Sequence, residues 1–237
     1  MIASLVLGVV AMNLLAIALV VARGPVFRTR VYRPMLLNLG LSAAPFVVLV
    51  IGVGAVAVAR IVAGPWGEGV VAVLVVLAWL LLLPNAGYLV TELNLSHRQE
   101  GEHVPMWFDV VLVISLAMSG VLNTVLNVLV AQIEWVLLRH GDTAASMRSW
   151  DTVLLTVLVL VLVAFGMYLG RSVRLNSWDV RHPTSLVRKV VRHLRAPGAL
   201  GNAAGFTFLY ALFLGIMYIV VAGPVVQAVI ELEDLRA

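Results

Sequence analysis

Long apolar runs separated by short polar stretches make up most of this chain. A helix needs about 20 predominantly apolar residues to cross roughly 30 Å of hydrocarbon. Six runs are long enough, and they cover residues 2–22, 35–62, 69–90, 110–138, 152–169 and 203–221. An isolated strand would leave its backbone groups unpaired in lipid, so each run should be a helix. The pattern predicts an all-α, polytopic transmembrane helical bundle of six spans, forming a single domain over residues 1–237.

Prolines punctuate the apolar runs. Gly24-Pro25, Gly64-Pro65 and Gly223-Pro224 follow the first, second and sixth runs. Glycine suits the position after a helix and proline cannot continue it, so these dipeptides predict helix stops. Pro84-Asn85 lies inside the third run, where the proline removes a backbone hydrogen bond and predicts a kink. The carbonyl freed there either helps to bind a ligand or is satisfied by a neighbouring helix.

One segment outside the six runs, residues 184–195, is amphipathic. Its sequence TSLVRKVVRHLR places apolar residues on one helical face (Leu186, Val187, Val190, Val191 and Leu194) and basic residues opposite (Arg188, Lys189, Arg192 and His193). Such a basic helix is typical of the membrane interface. It serves either general membrane anchoring or specific recognition of anionic lipid headgroups.

Composition agrees with a membrane protein and excludes several other classes. Hydrophobic residues make up 62% of the 237 residues, against about 45–50% in soluble domains. The chain has no cysteine, which excludes disulfides, thiolate metal sites and cysteine nucleophiles. No basic run is interleaved with aromatic residues, so the net charge of +4 indicates membrane lipids rather than nucleic acid as partners.

The distribution of basic residues predicts the orientation. Twelve of the sixteen Lys and Arg residues fall in the stretches that connect spans one and two, three and four, and five and six. Cytoplasmic loops carry this excess. We therefore expect a multi-pass protein of the cell membrane, with its N-terminus outside and these three connections in the cytoplasm.

The polar residues with potential chemistry gather on the predicted cytoplasmic side. They are Asn38 at the start of span two, Asn85, Tyr88, Thr91 and Glu92 at the end of span three, Asp109 at the start of span four, and Arg171, Arg174, Asn176, Trp178 and Asp179 after span five. Ionisable residues at membrane depth are costly, so they usually face the bundle interior and form pairs. These residues, with the exception of Thr91, are the candidate ligand-binding set.

Several of these residues fall in longer strings that resemble a known family. The strings are RPMLLNLGLSAAP, LPNAGYLVTEL, PMWFD and GMYLGRSVRLNSWDVRHP. Together they are similar to an uncharacterised group of bacterial integral-membrane proteins, catalogued as a domain of unknown function of class thirteen-sixty-one. The resemblance covers roughly residues 33–218. It implies a multi-span protein of the bacterial inner membrane in which the motif positions matter, and it brings no activity.

Acidic and basic members of the candidate set suggest a charge cluster. Arg171 and Arg174 are three residues apart and share one face if span five stays helical. Either could hold Glu92 or Asp109 bidentately. The cluster is then either a structural ion pair that fixes helix ends or a site for an anion or headgroup.

His97 and His103 add the residue types of a metal site, but without the spacing of two ligands on one helical face, so we expect neither a metal nor another cofactor.

Span four carries a polar stripe, formed by Ser115, Ser119, Asn123 and Asn127 at four-residue intervals. It either makes hydrogen bonds between helices or lines a permeation path.

No HExxH, GxSxG or phosphate-binding glycine motif occurs in the chain.

Three function classes follow from these alternatives. The first is transport or binding of an anionic solute or lipid headgroup, with the arginines supplying charge. The second is a membrane-embedded enzyme acting on a lipid-borne phosphate substrate, with Glu92 or Asp109 as general base. The third is a structural or accessory membrane subunit that docks a protein partner. The sequence leaves the oligomeric state open.

Overall fold

The computed structural model of the chain describes residues 2–29, 33–92, 103–141, 143–173 and 183–235. These residues form helices and short turns, with no strand among them, which confirms the all-α class. They gather into two compact units, residues 1–127 and 128–237. The single domain over residues 1–237 stays a prediction.

The helices of the described residues follow one another along the chain. In order they are α1 (Ile2–Phe27), α2 (Arg33–Leu82), α3 (Pro84–Tyr88), a first 3-10 turn (Leu89–Glu92), α4 (Met106–His140), a second 3-10 turn (Ala144–Arg148), α5 (Trp150–Ser172), α6 (Pro183–Leu194) and α7 (Ala199–Asp234). Within the described residues, five helical stretches are long and apolar enough to cross a membrane: α1, α2 with its continuation to Thr91, α4, α5 and α7.

The difference between five stretches and six predicted spans lies in α2, which contains both the second and the third apolar run. Gly64 interrupts its helical geometry with φ 66° and ψ −161°, and Pro65 starts the following segment. This backbone conformation is essentially restricted to glycine. Gly64 therefore divides α2 into a first limb (33–63) and a second limb (65–82).

The two limbs fold back on each other as an antiparallel hairpin. A Cβ atom on Gly52 would collide with the Val75 side chain, although the two residues would be about 34 Å apart in a straight helix. Arg60 forms an ion pair with Glu68 on either side of the turn. The predicted stop at Gly64-Pro65 is confirmed, and the second and third runs form separate helical limbs.

The predicted stops at the other two Gly-Pro dipeptides are wrong. Pro25 lies inside α1 and Pro224 lies inside α7. A proline within a helix costs one backbone hydrogen bond, which neighbouring helices can compensate in a membrane protein. α1 instead ends after Phe27, where Arg28 takes a left-handed φ of 54° and the Thr29 N–H donates to the Gly24 carbonyl over 3.2 Å. That bond closes a Schellman-type C-terminus.

α4, which contributes to both units, is the most buried of the five long stretches. In α4, 72% of the most apolar 18 residues are buried, compared with 33% or less in each of the other four. At the end of the first unit where α4 begins, a core cluster joins α1, α2, the first 3-10 turn and α4; its members are Ala16, Val20, Met35, Leu39, Leu89, Val104, Phe108, Leu112, Val113 and Leu116. The sequence predicts that these helix ends lie together, and the cluster agrees with that arrangement.

The second unit consists of the last part of α4, the second 3-10 turn, α5, α6 and α7. Val163, Met167 and Leu214 form its fully buried centre on α5 and α7. Polar contacts join the elements near the second 3-10 turn. Gln132 donates to the Met147 carbonyl over 2.8 Å, and Tyr218 donates to Gln132. These bonds tie α4 to the second 3-10 turn and to α7.

Candidate functional site

A buried ion pair joins α1 to α4 in the first unit. Arg23 lies near the end of α1 and is 4% exposed, and Asp109 lies in the first turn of α4 and is fully buried. The Arg23 Nε atom donates to Asp109 Oδ1 over 3.0 Å. A carboxylate in the first turn of a helix also interacts favourably with the helix dipole.

Apolar side chains surround this pair. Phe27 meets Phe108 edge-to-face, with the two ring centroids 4.8 Å apart, and Met35 and Leu39 of α2 are buried in the same cluster. Two charges in such surroundings lose their hydration, and their attraction compensates for this loss only while both partners are present. Asp109 therefore serves to hold α4 against α1, which is the structural role that the sequence analysis left open for it.

Arg23 is missing from the candidate set, although a signal for it exists. It is the sole charged residue of α1, and it directly follows the first apolar run. In the sequence analysis it serves only as one of the basic residues that predict the orientation. Arg171 lies in the last turn of α5 in the second unit, with an exposed side chain. The expected pairing of Asp109 with Arg171 or Arg174 stays a prediction.

The other candidate residues of the first unit lie on neighbouring elements. Asn38 is half-buried at the start of α2, and Asn85 and Tyr88 are half-buried on α3. Glu92 ends the first 3-10 turn. Thr91, which is buried in the same turn, donates to the Tyr88 carbonyl over 2.7 Å. The remaining candidates, Arg174, Asn176, Trp178 and Asp179, lie outside the described residues, as does His97.

The helix is interrupted just before Pro84, although Leu83 keeps helical φ and ψ, and the kink itself stays a prediction. α2 ends at Leu82, and α3 begins at Pro84, with the proline in its first turn. The next turn of α3 packs closely on α4, since a Cβ on Gly120 would lie 3.0 Å from both the Ala86 carbonyl oxygen and Leu89 Cβ. The Ala86 carbonyl accepts a hydrogen bond from the Ser42 hydroxyl over 2.9 Å. The Ser42 side chain thus bonds to the backbone just after Pro84, while the role of the Leu80 carbonyl, which the proline frees, stays a prediction.

The polar stripe of α4 is buried and makes contacts between helices. Asn123 exchanges two hydrogen bonds with Asn13 of α1, over 2.9 and 3.1 Å, and it donates to the Ser42 hydroxyl over 2.9 Å. Asn127 accepts from the Trp79 indole over 3.0 Å. Ser115, Ser119, Asn123 and Asn127 are each at most 5% exposed. This geometry favours hydrogen bonding between helices over a permeation path.

The amphipathic segment of the second unit is a helix, as its sequence predicts. α6 covers Pro183–Leu194. On its apolar face Val187 and Val191 remain 59% and 38% exposed. Arg188 and Arg192 of α6 and Arg195, the residue after it, are exposed as well. A helix that exposes both an apolar face and basic side chains is suited to the interface of a membrane with anionic lipids.

A tyrosine of α5 fixes the end of α6. The Tyr168 hydroxyl lies 2.9 Å from His193 Nε2, and it donates to the Ala199 carbonyl at the start of α7 over 3.3 Å. Tyr168 is 5% exposed, and its ring also packs against Phe206, 5.7 Å away between centroids. The orientation of α6 relative to α5 and α7 is thus set by a buried side chain.

No group of three or more His, Asp or Glu residues in the described ranges is arranged to hold a metal ion. His103 is exposed in the connection before α4.

Comparison with known proteins identifies one family. The model of the family described as "Protein of unknown function (DUF1361)" matches residues 37–220, from the first limb of α2 into α7, which confirms the resemblance drawn from the sequence strings. No curated protein and no solved structure matches the chain.

Proposed function

This chain belongs to the family described as protein of unknown function (DUF1361), and on the basis of its geometry we propose that it binds anionic phospholipid headgroups at the cytoplasmic face of the membrane. It is an integral membrane protein. The observation that carries the proposal is α6, with basic side chains and two exposed valines on one helix that Tyr168 holds against the spanning helices.

The proposal includes a topology of six crossings with the N-terminus outside. The α2 hairpin supports it, because each limb, together with α3 for the second, is long enough for one crossing. Under this topology α6 lies on the cytoplasmic side together with the basic connections. Anionic lipids of that leaflet attract basic residues by about 1 kcal/mol for each residue near the surface.

Two observations favour binding over transport and catalysis. The stripe of α4 is buried and two of its residues bond to other helices, so it supports a structural role. Asp109 is fully buried against Arg23, whereas a general base must reach the proton that it removes.

The experiment measures lipid preference in the purified full chain. We expect the wild type in mild detergent to retain phosphatidylglycerol over phosphatidylcholine in native mass spectrometry. In the variant with Arg188→Gln, Arg192→Gln and Arg195→Gln, this preference should fall at least tenfold. The upper limit of the fall corresponds to about 3 kcal/mol, the combined contribution of three basic residues.

A matched control removes the same number of charges elsewhere. Arg60→Gln, Arg139→Gln and Arg148→Gln together give the same net charge and alter residues that we place on the opposite side of the membrane. This control should keep the preference of the wild type. An equal loss in both triple variants would mean that net charge alone selects the lipid, and it would contradict a site at α6.

A further inference from the structure

We propose that a groove between α5 and α7 holds an acyl chain of a membrane phospholipid whose phosphate is bound by Arg192 and Arg195 beside it. This inference rests on the proposed function and adds the subsite that would give a lipid a fixed position. The groove has a volume of about 1060 Å³ and belongs entirely to the second unit. That volume is at the upper end of the range of small-molecule pockets, about 300–1,000 Å³.

Small side chains on α7 create the groove. Ala204, Ala211 and Gly215 line it along one helical face, with Phe208 and Ile219 between and beyond them. The opposite wall is formed by α5, where Leu160 lies at ordinary van der Waals distance from Gly215: an added Cβ would be 3.8 Å from its Cδ1 atom. The lining runs from Leu200 to Ile219 on α7, a length of about 28 Å, which is close to the thickness of the hydrocarbon core.

The wall of the groove presents almost only hydrocarbon. Tyr218 donates to Gln132, and Thr156 donates to the Thr152 carbonyl over 2.9 Å. The Thr207 hydroxyl is buried and has no hydrogen-bond partner among the described residues. Apart from Thr207, these polar groups are internally bonded, so the groove suits an occupant that is apolar along most of its length.

The shape of the groove suits an acyl chain. An extended hydrocarbon chain is narrow, and the lining follows about 28 Å of α7. A helix packed on the groove by one face is the competing occupant, and the dimer measurement tests it.

Basic residues adjoin one end of the groove. Leu194, the last residue of α6, is part of the lining, and the exposed Arg192 and Arg195 flank it in sequence. The Tyr168–His193 contact fixes this end of α6. A molecule with an apolar tail and an anionic end complements both features, and a phospholipid has this chemistry.

The test fills the groove and follows the lipid. Ala204→Phe with Ala211→Phe places two rings in the groove, and Ala55→Phe with Ala57→Phe adds the same bulk at exposed positions of the first limb of α2. Native mass spectrometry of each purified full chain with added dioleoyl phosphatidylglycerol measures occupancy. We expect at least a tenfold lower occupancy in the groove variant than in the α2 variant, at matched thermal stability.

Two further probes separate tail from headgroup. Glycerol phosphate, which has the anionic end without a tail, should bind at least tenfold more weakly than the phospholipid. Arg192→Gln with Arg195→Gln should reduce phosphatidylglycerol occupancy while leaving phosphatidylcholine in the groove. Equal phosphatidylglycerol occupancy in the groove and α2 variants would overturn the inference while leaving the α6 proposal to its own charge test.

A second measurement guards against a groove variant that does not fold. Phosphatidylglycerol carrying a photoactivatable diazirine on its acyl chain, added to the wild type, should cross-link to the peptide covering residues 203–219. Cross-links confined to other helices would overturn the proposal. A dimer that the groove variant alone abolishes would do so as well, since it would identify a second copy as the occupant.

Discussion

Arg23 and Asp109 show how one buried pair can determine helix packing in an otherwise apolar unit. The two residues are 86 positions apart in sequence, and both are almost inaccessible to solvent. Removing either partner leaves an uncompensated charge in an apolar core, whereas replacing both by apolar groups removes the charge problem altogether. The pair therefore selects the correct neighbour for α1 more than it adds to total stability.

This interpretation predicts a non-additive pair of substitutions. We expect Asp109→Leu to lower the free energy of unfolding by about 3–5 kcal/mol, and the double variant Arg23→Met, Asp109→Leu to return to within about 1 kcal/mol of the wild type. Unfolding in mixed detergent micelles measures both. Glu68→Gln, which breaks the exposed pair with Arg60, is the control and should cost less than about 1 kcal/mol. An Asp109→Leu effect as small as that of Glu68→Gln would contradict the interpretation.

The sequence indicates which polar residues of the first unit are buried, but not which of them bind each other. The spacing of the α4 stripe identifies Asn123 and Asn127 as residues of one face. Their partners Asn13, Ser42 and Trp79 come from other apolar runs. Pairing across runs depends on which helices are neighbours, and hydrophobicity does not encode that choice.

At the scale of elements, the turn at Gly64 contrasts with the two Gly-Pro dipeptides that stay inside helices. Of the glycines in the three Gly-Pro dipeptides, only Gly64 adopts a backbone conformation that is essentially restricted to glycine, with φ 66° and ψ −161°. At Gly24-Pro25 and Gly223-Pro224 the helix continues because packing offsets one lost hydrogen bond. The dipeptide alone is thus an ambiguous signal, and its outcome is decided by whether the chain can fold back on an apolar partner.

Gly64 and Gly69 give a matched pair for testing the hairpin turn. Gly64→Ala should lower the free energy of unfolding by about 1–3 kcal/mol, because alanine is strained in this region of φ and ψ. Gly69→Ala, in the exposed helical part of the second limb with no neighbour near the added methyl group, should raise it by about 0.5–1 kcal/mol. Thermal unfolding of the two variants in the same detergent gives the comparison. The same sign of change for both would argue against a glycine-specific turn.

At the scale of the whole molecule, the sequence was sufficient for the helical class, the membrane location and the approximate helix bounds. These properties depend on the length and apolarity of each run, which are local. The predicted and observed helix ends differ most at α7. This helix continues to Asp234, well beyond the predicted end at residue 221. Residues after 221 remain helical through side-chain contacts such as Glu233 accepting from the Ala144 N–H over 2.5 Å, which apolarity does not reveal.

The absence of cysteine in the chain makes the proposed orientation directly testable. Thr143→Cys and Thr184→Cys introduce single thiols at exposed positions on either side of α5. A membrane-impermeant maleimide should label Cys at position 143 in intact cells and the one at position 184 only after lysis. The cysteine-free wild type measures background. Labelling of both thiols in intact cells would mean that α5 does not cross the membrane, and the reverse pattern would invert the topology.

The Arg23–Asp109 pair also has a consequence for biosynthesis. At about 5–20 residues per second, Arg23 is synthesised roughly 4–17 s before Asp109, which lies 86 positions later. During that interval α1 carries an unneutralised charge, so its arginine must reach towards the headgroup layer. The α2 hairpin is synthesised in the meantime. Arg23 can turn inward to its partner only after α4 has been made, so this pair forms late in the assembly of the first unit.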